Sequence, residues 1–312
     1  MDADIRRHDV YSITQFYLLK LKNISAVGWM LFSAFCFALM GAFSHALADT
    51  FNWTVIAFAR AFINLIFVAL LALSTNKPLI FFSAPKNLWF RSITGTFSIF
   101  GTFYTLSNLP IAEAMSVINT VPLWMALLIA FVTKQHVPKT IWFSVACGLA
   151  GVVFIQQPHF NEGNFAVVVG LIGACFAAVA VYNLHLIKDL HPTTIVAHFT
   201  LVASIITFVL MIPFLPTVFE EARYSPTIII ALIGVGASGT VAQLAMTRAY
   251  MRGNPAVNSN VGLAQVAFAA IFDIIIWSRS FNLVTIIGIL LITIPTTLFV
   301  ARIQIRNRTQ SV

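Results

Sequence analysis

Charge is what this chain has least of. Asp, Glu, Lys and Arg make up 9% of its 312 residues, against roughly a quarter in soluble domains. That scarcity excludes the disordered and the ordinary soluble classes. Cysteine is nearly absent too: Cys36, Cys147 and Cys175 all lie inside apolar stretches, which leaves neither a disulfide framework nor a paired metal spacing. There is no aspartate-rich prenyl-transfer motif, no Walker A lysine and no HExxH zinc helix, so the familiar enzyme signatures are missing. Residues 1–24 lack the short apolar core and small-residue cleavage site of a signal peptide. The first apolar segment is therefore expected to stay as an anchor behind a cytoplasmic tail.

What the chain does have is apolar length. Hydrophobic residues reach 59% and the mean hydropathy is +0.91, more apolar surface than one soluble core can bury. A membrane-spanning helix takes about 20 such residues. Apolar runs between turn-forming residues define ten candidate spans, at 25–47, 53–74, 90–108, 111–133, 140–156, 164–186, 193–214, 227–248, 254–277 and 281–302. Most linkers are short and turn-like, as at Asn76-Lys77-Pro78, Gln157-Pro158 and Gly253-Asn254-Pro255. In a soluble domain a net charge of +8 would suggest nucleic acid; in short loops it reports orientation instead, and no nucleic-acid partner is expected. Alternating the spans places fifteen Lys and Arg on one side and only Arg223 and Arg279 on the other, with Arg60 left inside a span. The rule that cytoplasmic loops hold the excess then puts both termini in the cytoplasm of a cell with this protein in its inner membrane.

The sequence also resembles itself. A shift of 144 positions lays Thr105-Leu106 on Ala249-Tyr250 and Gly95 on Gly239, and brings span ends into coincidence. Near the front, Ala34-Phe35-Cys36-Phe37-Ala38 matches Ala174-Cys175-Phe176-Ala177-Ala178 at a shift of about 140. Two halves, 25–156 and 164–302, follow, between tails 1–24 and 303–312. Five spans per half is an odd number, so the second half must enter the membrane with opposite orientation. The expected fold is an all-α membrane protein, ten transmembrane helices as two inverted five-helix repeats, with a substrate site near the midplane.

Several segments resemble the EamA-type members of the drug/metabolite transporter superfamily. They are Phe58-Ala59-Arg60, then Leu109-Pro110-Ile111-Ala112-Glu113-Ala114 running into Thr120-Val121-Pro122, and Gly148-Leu149-Ala150-Gly151. The second half supplies Ala249-Tyr250-Met251-Arg252-Gly253-Asn254-Pro255 and Gly288 through Ile294-Pro295-Thr296-Thr297-Leu298. The resemblance covers 25–302 and implies ten helices, cytoplasmic termini, a central cavity lined by spans 1, 3, 4, 6, 8 and 9, and no catalytic residue or cofactor. Where the family often closes the fourth span with an acidic residue, this chain has Lys134-Gln135, and the second-half counterpart reads Trp277-Ser278. The Pro295 to Phe299 ending resembles the branch of S-adenosylmethionine uptake carriers.

Polar residues inside apolar spans are costly and default to functional candidates. Two readings of Arg60 stand side by side: a fixed pair with Asp49 or His45, or attraction of an anionic group. Asp273 either pairs with Arg279 or serves cation attraction or proton coupling. Glu113 suits the helix start it occupies. The histidines show no i, i+4 ligand pairing, so no metal is expected; His198, like His185, could switch protons near neutrality. Asn119 and Thr120 precede Pro122, whose missing N–H leaves the Ile118 carbonyl free, and Gln265 lies near the centre of span 9. The small-residue stripe from Gly234 to Thr240, with Ser238, and then Gln243 either packs helices or leaves cavity volume. Trp29, Trp124 and Tyr104 either pack or stack on a planar substrate.

The expected function is secondary transport of a small polar metabolite by alternating access, with S-adenosylmethionine, amino acids, nucleosides and vitamins as substrate candidates. The bilayer is the second partner, and a homodimer stays open as an assembly. A channel or a membrane scaffold is the alternative class. Gly236-Ala237-Ser238-Gly239 looks superficially like the serine motif of rhomboid intramembrane proteases, but no histidine follows His198 to serve as its partner.

Overall fold

A computed structural model of the chain describes residues 25–48, 50–109, 111–132, 134, 136–156, 165–215, 225–277 and 282–309. The tail 1–24, Asp49, the linker with Glu162 and Arg279 lie outside these, as do the side chains of Glu113 and Asp273. Every regular element among the described residues is helical. The first half comprises α1 Ala26–Leu47, α2 Trp53–Ser74, α3 Lys86–Asn108, the pair α4 Ile111–Ile118 and α5 Val121–Leu127, and α6 Lys139–Gln156. The second comprises α7 Phe165–Leu186, α8 Pro192–Met211, α9 Pro226–Arg252, the pair α10 Pro255–Gly262 and α11 Ala264–Trp277, and α12 Leu283–Thr309.

Polar side chains begin these helices where the first N–H groups would otherwise go unmet. Ser25 Oγ accepts from Gly28 N, Asn52 Oδ1 from Thr54 N, Ser225 Oγ from Ile228 N and Asn254 Oδ1 from Ala256 N. Pro192, Pro226 and Pro255 occupy the first turn, where a missing N–H costs nothing. His191 accepts from Thr193 N through Nδ1, a role only an unprotonated nitrogen can fill. Burial, then Lys77 and Arg248, push its imidazole below the ordinary histidine range, which keeps that acceptor available. α2 ends with Asn76 at φ 51°, and Lys77 N and Asn76 N bond back to the Ala72 and Leu73 carbonyls.

By length and composition, seven helical stretches among the described residues are apolar enough to cross a membrane: α1, α2, Met115–Val132, α7, Pro192–Phe214, α9 and Pro255–Ile276. The apolar parts of α6 and α12, Lys139–Ile155 and Leu283–Pro295, are shorter. α3 adds a further helix that carries Lys86, Arg91 and many Ser and Thr residues. The structure departs from the expected spans at several ends. α3 begins four residues before the expected 90, α9 continues to Arg252, and α12 runs to Thr309 through the segment read as a tail. Spans 4 and 9 are each broken. The first break falls at Asn119-Thr120, ahead of Pro122; the second falls at Leu263 with no proline near it.

These breaks make the internal repeat visible. α4 and α10 are each eight residues long, and their starts and ends differ by the 144 positions of the sequence shift. The same offset relates the end of α3 to the end of α9 and the start of α6 to the start of α12. Packing follows the same pairing. α1 lies on α9 and α3 on α7, so the first helix of each half packs against the third helix of the other; α2 lies on α8 and α6 on α12. The α3–α7 crossing is backbone on backbone, since a Cβ on Gly101 would sit 2.5 Å from the Gly173 Cα. Between α1 and α9, Ser33 Oγ donates to the Ala242 carbonyl at 2.8 Å.

The glycines of α9 pack rather than open space. A Cβ on Gly234 would meet the Phe43 ring at 2.8 Å, and one on Gly236 would run into Ile63. One apolar cluster, with Val27, Leu88, Met125, Leu184, Ile195 and Tyr250, fills one end of the bundle. A second, with Leu47, Phe51, Phe103, Met211 and Val235, lies at the other. The exterior is apolar as well: Leu73, Phe143, Ile275 and Leu283 are each about two-thirds or more exposed, as a lipid-facing surface requires and a water-facing one does not.

Candidate functional site

Between the halves is a cavity of about 1160 Å³, large enough for a metabolite. Its rim consists of residues that join or begin helices at one end of the bundle: Ala48, Phe51, Asn52 and Trp53 between α1 and α2, and Asn282 and Thr285 at the start of α12. Its floor is the apolar cluster at the opposite end, with Met30, Val181 and Tyr250 shared by both. One face of each surrounding helix supplies the wall, at helical spacing: Phe37, Gly41 and Ser44 from α1; Trp53, Ile56 and Arg60 from α2; Gly262, Gln265, Ala269 and Phe272 from α10 and α11.

The broken helices bring polar groups to this wall. Ile118, Asn119 and Pro122 all line the cavity. Pro122 has no N–H to donate to the Ile118 carbonyl, so the break in the helix beside the cavity leaves that oxygen without its usual helical donor. Asn119 Nδ2 donates to the Met115 carbonyl at 2.7 Å, leaving Oδ1 for other contacts. The Gln265 amide has no hydrogen-bond partner among the described residues. Ser259, one turn into α10, and Tyr250 complete the polar surface near the floor.

Of the candidate residues read from sequence, the cavity collects Asn119, Gln265 and Arg60. The rest are placed elsewhere, except Asp273, whose position in α11 is seen without its side chain. Thr120 turns back to the Val117 carbonyl at 2.6 Å, and Ser238 to that of Gly234. Gln243 is 2% exposed with Nε2 unpartnered. Trp29 is buried with the Arg248 guanidinium over its ring at 4.9 Å, and Tyr104 meets Phe165 edge to face. His198 bonds through Nδ1 to Ser92 Oγ at 2.8 Å and packs edge-on against Trp89. Tyr250, Ser259, Asn52, Ser44 and His45 are cavity residues that the sequence reading left out of the site. Tyr250 carried a signal, because the internal repeat aligns it with Leu106 beside the first broken helix, and His45 carried one through its place beside Arg60; Ser259, Asn52 and Ser44 carried none beyond helical phase.

A bundle of apolar helices, with a mainly apolar cavity that carries a few polar groups between two similar halves, defines a multi-pass membrane protein. The family model of the EamA-like transporter family matches twice, at residues 24–156 and 164–301, and the chain belongs to that family. It is a transporter rather than an enzyme. A transporter of Helicobacter pylori, itself uncharacterized, is 26% identical over 275 residues, covering 85% of this chain and 91% of that one. The pseudopaline exporter CntI of Pseudomonas aeruginosa is 24% identical over 267 residues, covering 84% and 91%. An S-adenosylmethionine uptake transporter of Rickettsia bellii is 23% identical over 288 residues, covering 90% and 94%. A solved crystal structure superimposes with TM-score 0.76 at 17% identity, covering 89% of this chain and 98% of that chain, which establishes the shared fold.

Proposed function

We propose that the protein is a secondary carrier that moves a small polar metabolite across the inner membrane by alternating access. Ten spans form two inverted five-helix halves with both termini cytoplasmic, and the cargo sits between Asn119 and Gln265. The observation that carries this reading is the cavity itself: it opens at one end, is stopped at the other by an apolar cluster, and takes its wall from both halves. A continuous pore would need passage at both ends, whereas a carrier needs one closed end at a time. The fifteen-to-two distribution of Lys and Arg makes the closed end cytoplasmic and the rim external.

The substrate candidates are S-adenosylmethionine, amino acids, nucleosides and vitamins. Relatives named for uptake of S-adenosylmethionine and for export of pseudopaline support polar metabolites as the class, and they differ in direction. The test is uptake by purified protein in liposomes against this panel. The expected result is saturable uptake of one member; uptake of none above protein-free liposomes would overturn the proposal.

A further inference from the structure

We infer that Arg60 is the anion-binding residue of this cavity, and that the cargo carries a carboxylate. The inference rests on the carrier reading for its biological meaning but on Arg60 for its chemistry. Arg60 stands seven residues into α2, about 10 Å along the helix from Trp53 at the rim, and lines the cavity. Its stem lies on α9, with Cγ 3.9 Å from where a Cβ on Gly239 would be, and its guanidinium carbon lies 5.9 Å from the centroid of the Phe37 ring. No carboxylate among the described residues pairs with it, and none of the described cavity-lining residues is acidic. His45 also lines the wall, at the exposed rim end of α1.

A guanidinium held in a membrane-embedded cavity calls for a counter-charge. The side chains of Asp49, Glu113 and Asp273 lie outside the described residues, and we assign the counter-charge to the cargo. The fork of N–H donors fits a carboxylate with two parallel hydrogen bonds. A single fixed cation balances one negative charge, which favours a monocarboxylate over a doubly charged phosphate. The neutral groups of Asn119, Gln265, Tyr250 and Ser259 are left to read the remainder of the molecule.

The test is peptide-resolved phenylglyoxal modification of Arg60 in the detergent-purified protein, with methionine, methioninamide or inorganic phosphate present at equal ionic strength. Modification without additive, slowed severalfold by methionine and unaffected by methioninamide, is the expected result. An Arg60 that does not react at all is sealed or internally paired, and overturns the inference. Equal protection by methionine and its amide, protection by neither, or stronger protection by phosphate than by methionine also overturns it. Uptake with no carboxylate protection would leave the carrier standing and remove the role of Arg60; protection without uptake would do the reverse. As a further check, Arg60→Lys keeps the charge without the fork and should lose most of the methionine effect on thermal stability while folded yield persists.

Discussion

At the scale of single residues, the amides of Asn119 and Gln265 differ in a way that separates binding from folding. Asn119 spends one N–H on the Met115 carbonyl, whereas Gln265 has no partner among the described residues. An amide kept from water without a partner costs about 1–3 kcal/mol, so Gln265 gains from water or cargo and contributes little to stability. Gln265→Leu is expected to leave the melting temperature unchanged or raise it, and to weaken apparent substrate affinity by roughly tenfold, about 1.4 kcal/mol. Asn119→Leu should weaken affinity similarly and also lower the melting temperature. Measuring both quantities on the same preparations decides the matter, and unchanged affinity in both variants would remove these residues from the site.

Residue identity alone does not say which side chains share a wall. Gln243, Ser238 and Trp29 look as suited to a polar site as Gln265, yet they lie in helix contacts. In a soluble helix, apolar periodicity would mark the inner face. Here lipid-facing and core-facing positions are both apolar, Phe143 and Ile275 outside as much as Met125 and Val235 inside, so that signal is erased. Arg60 and Asn119 were legible because a charge and a proline-preceding amide are unusual in a span whatever face they take.

At the scale of elements, close crossings set the geometry. Gly101 of α3 and Gly173 of α7 meet backbone to backbone, and a Cβ at Gly101 would also approach Gly173 N and the Val169 carbonyl at 3.1 Å. Nothing at this contact is a flexible side chain that could move aside. Gly101→Ala should therefore force the helices apart and destabilise the protein by about 1–3 kcal/mol. Thermal unfolding in detergent reads this as a lowered melting temperature, and an unchanged value would mean the crossing is looser than described. The small residues were visible in the sequence, but the partner of each was not, because helices that pack through glycine leave no size or charge complementarity to read. Helix ends fared better. α2 coincides with its expected span, and Asn52, Asn76 and Pro78 announce its limits through capping and turn chemistry. The break before Pro122 has a cause in sequence; the equivalent break at Leu263 became apparent only through its repeat relation to the first.

At the scale of the whole molecule, the packing of first helices on third helices across the halves, and of second on second and fifth on fifth, is what a twofold relation between the repeats requires. The proposed orientation takes its sides from the charge asymmetry. Single cysteines at Lys139 and Glu162, in a background freed of Cys36, Cys147 and Cys175, should react differently with an impermeant maleimide on intact cells. Labelling at 162 without labelling at 139 is expected, and the reverse would invert the topology.

The central claim is that a cargo crosses by occupying the cavity while one end at a time is closed. Counterflow measures this most directly: liposomes containing the protein are preloaded with an unlabelled panel member, and entry of the same labelled compound is followed. A carrier that exchanges cargo through one site predicts saturable entry that preloading accelerates. Entry that rises linearly with concentration and is indifferent to preloading would contradict it and identify an open pore.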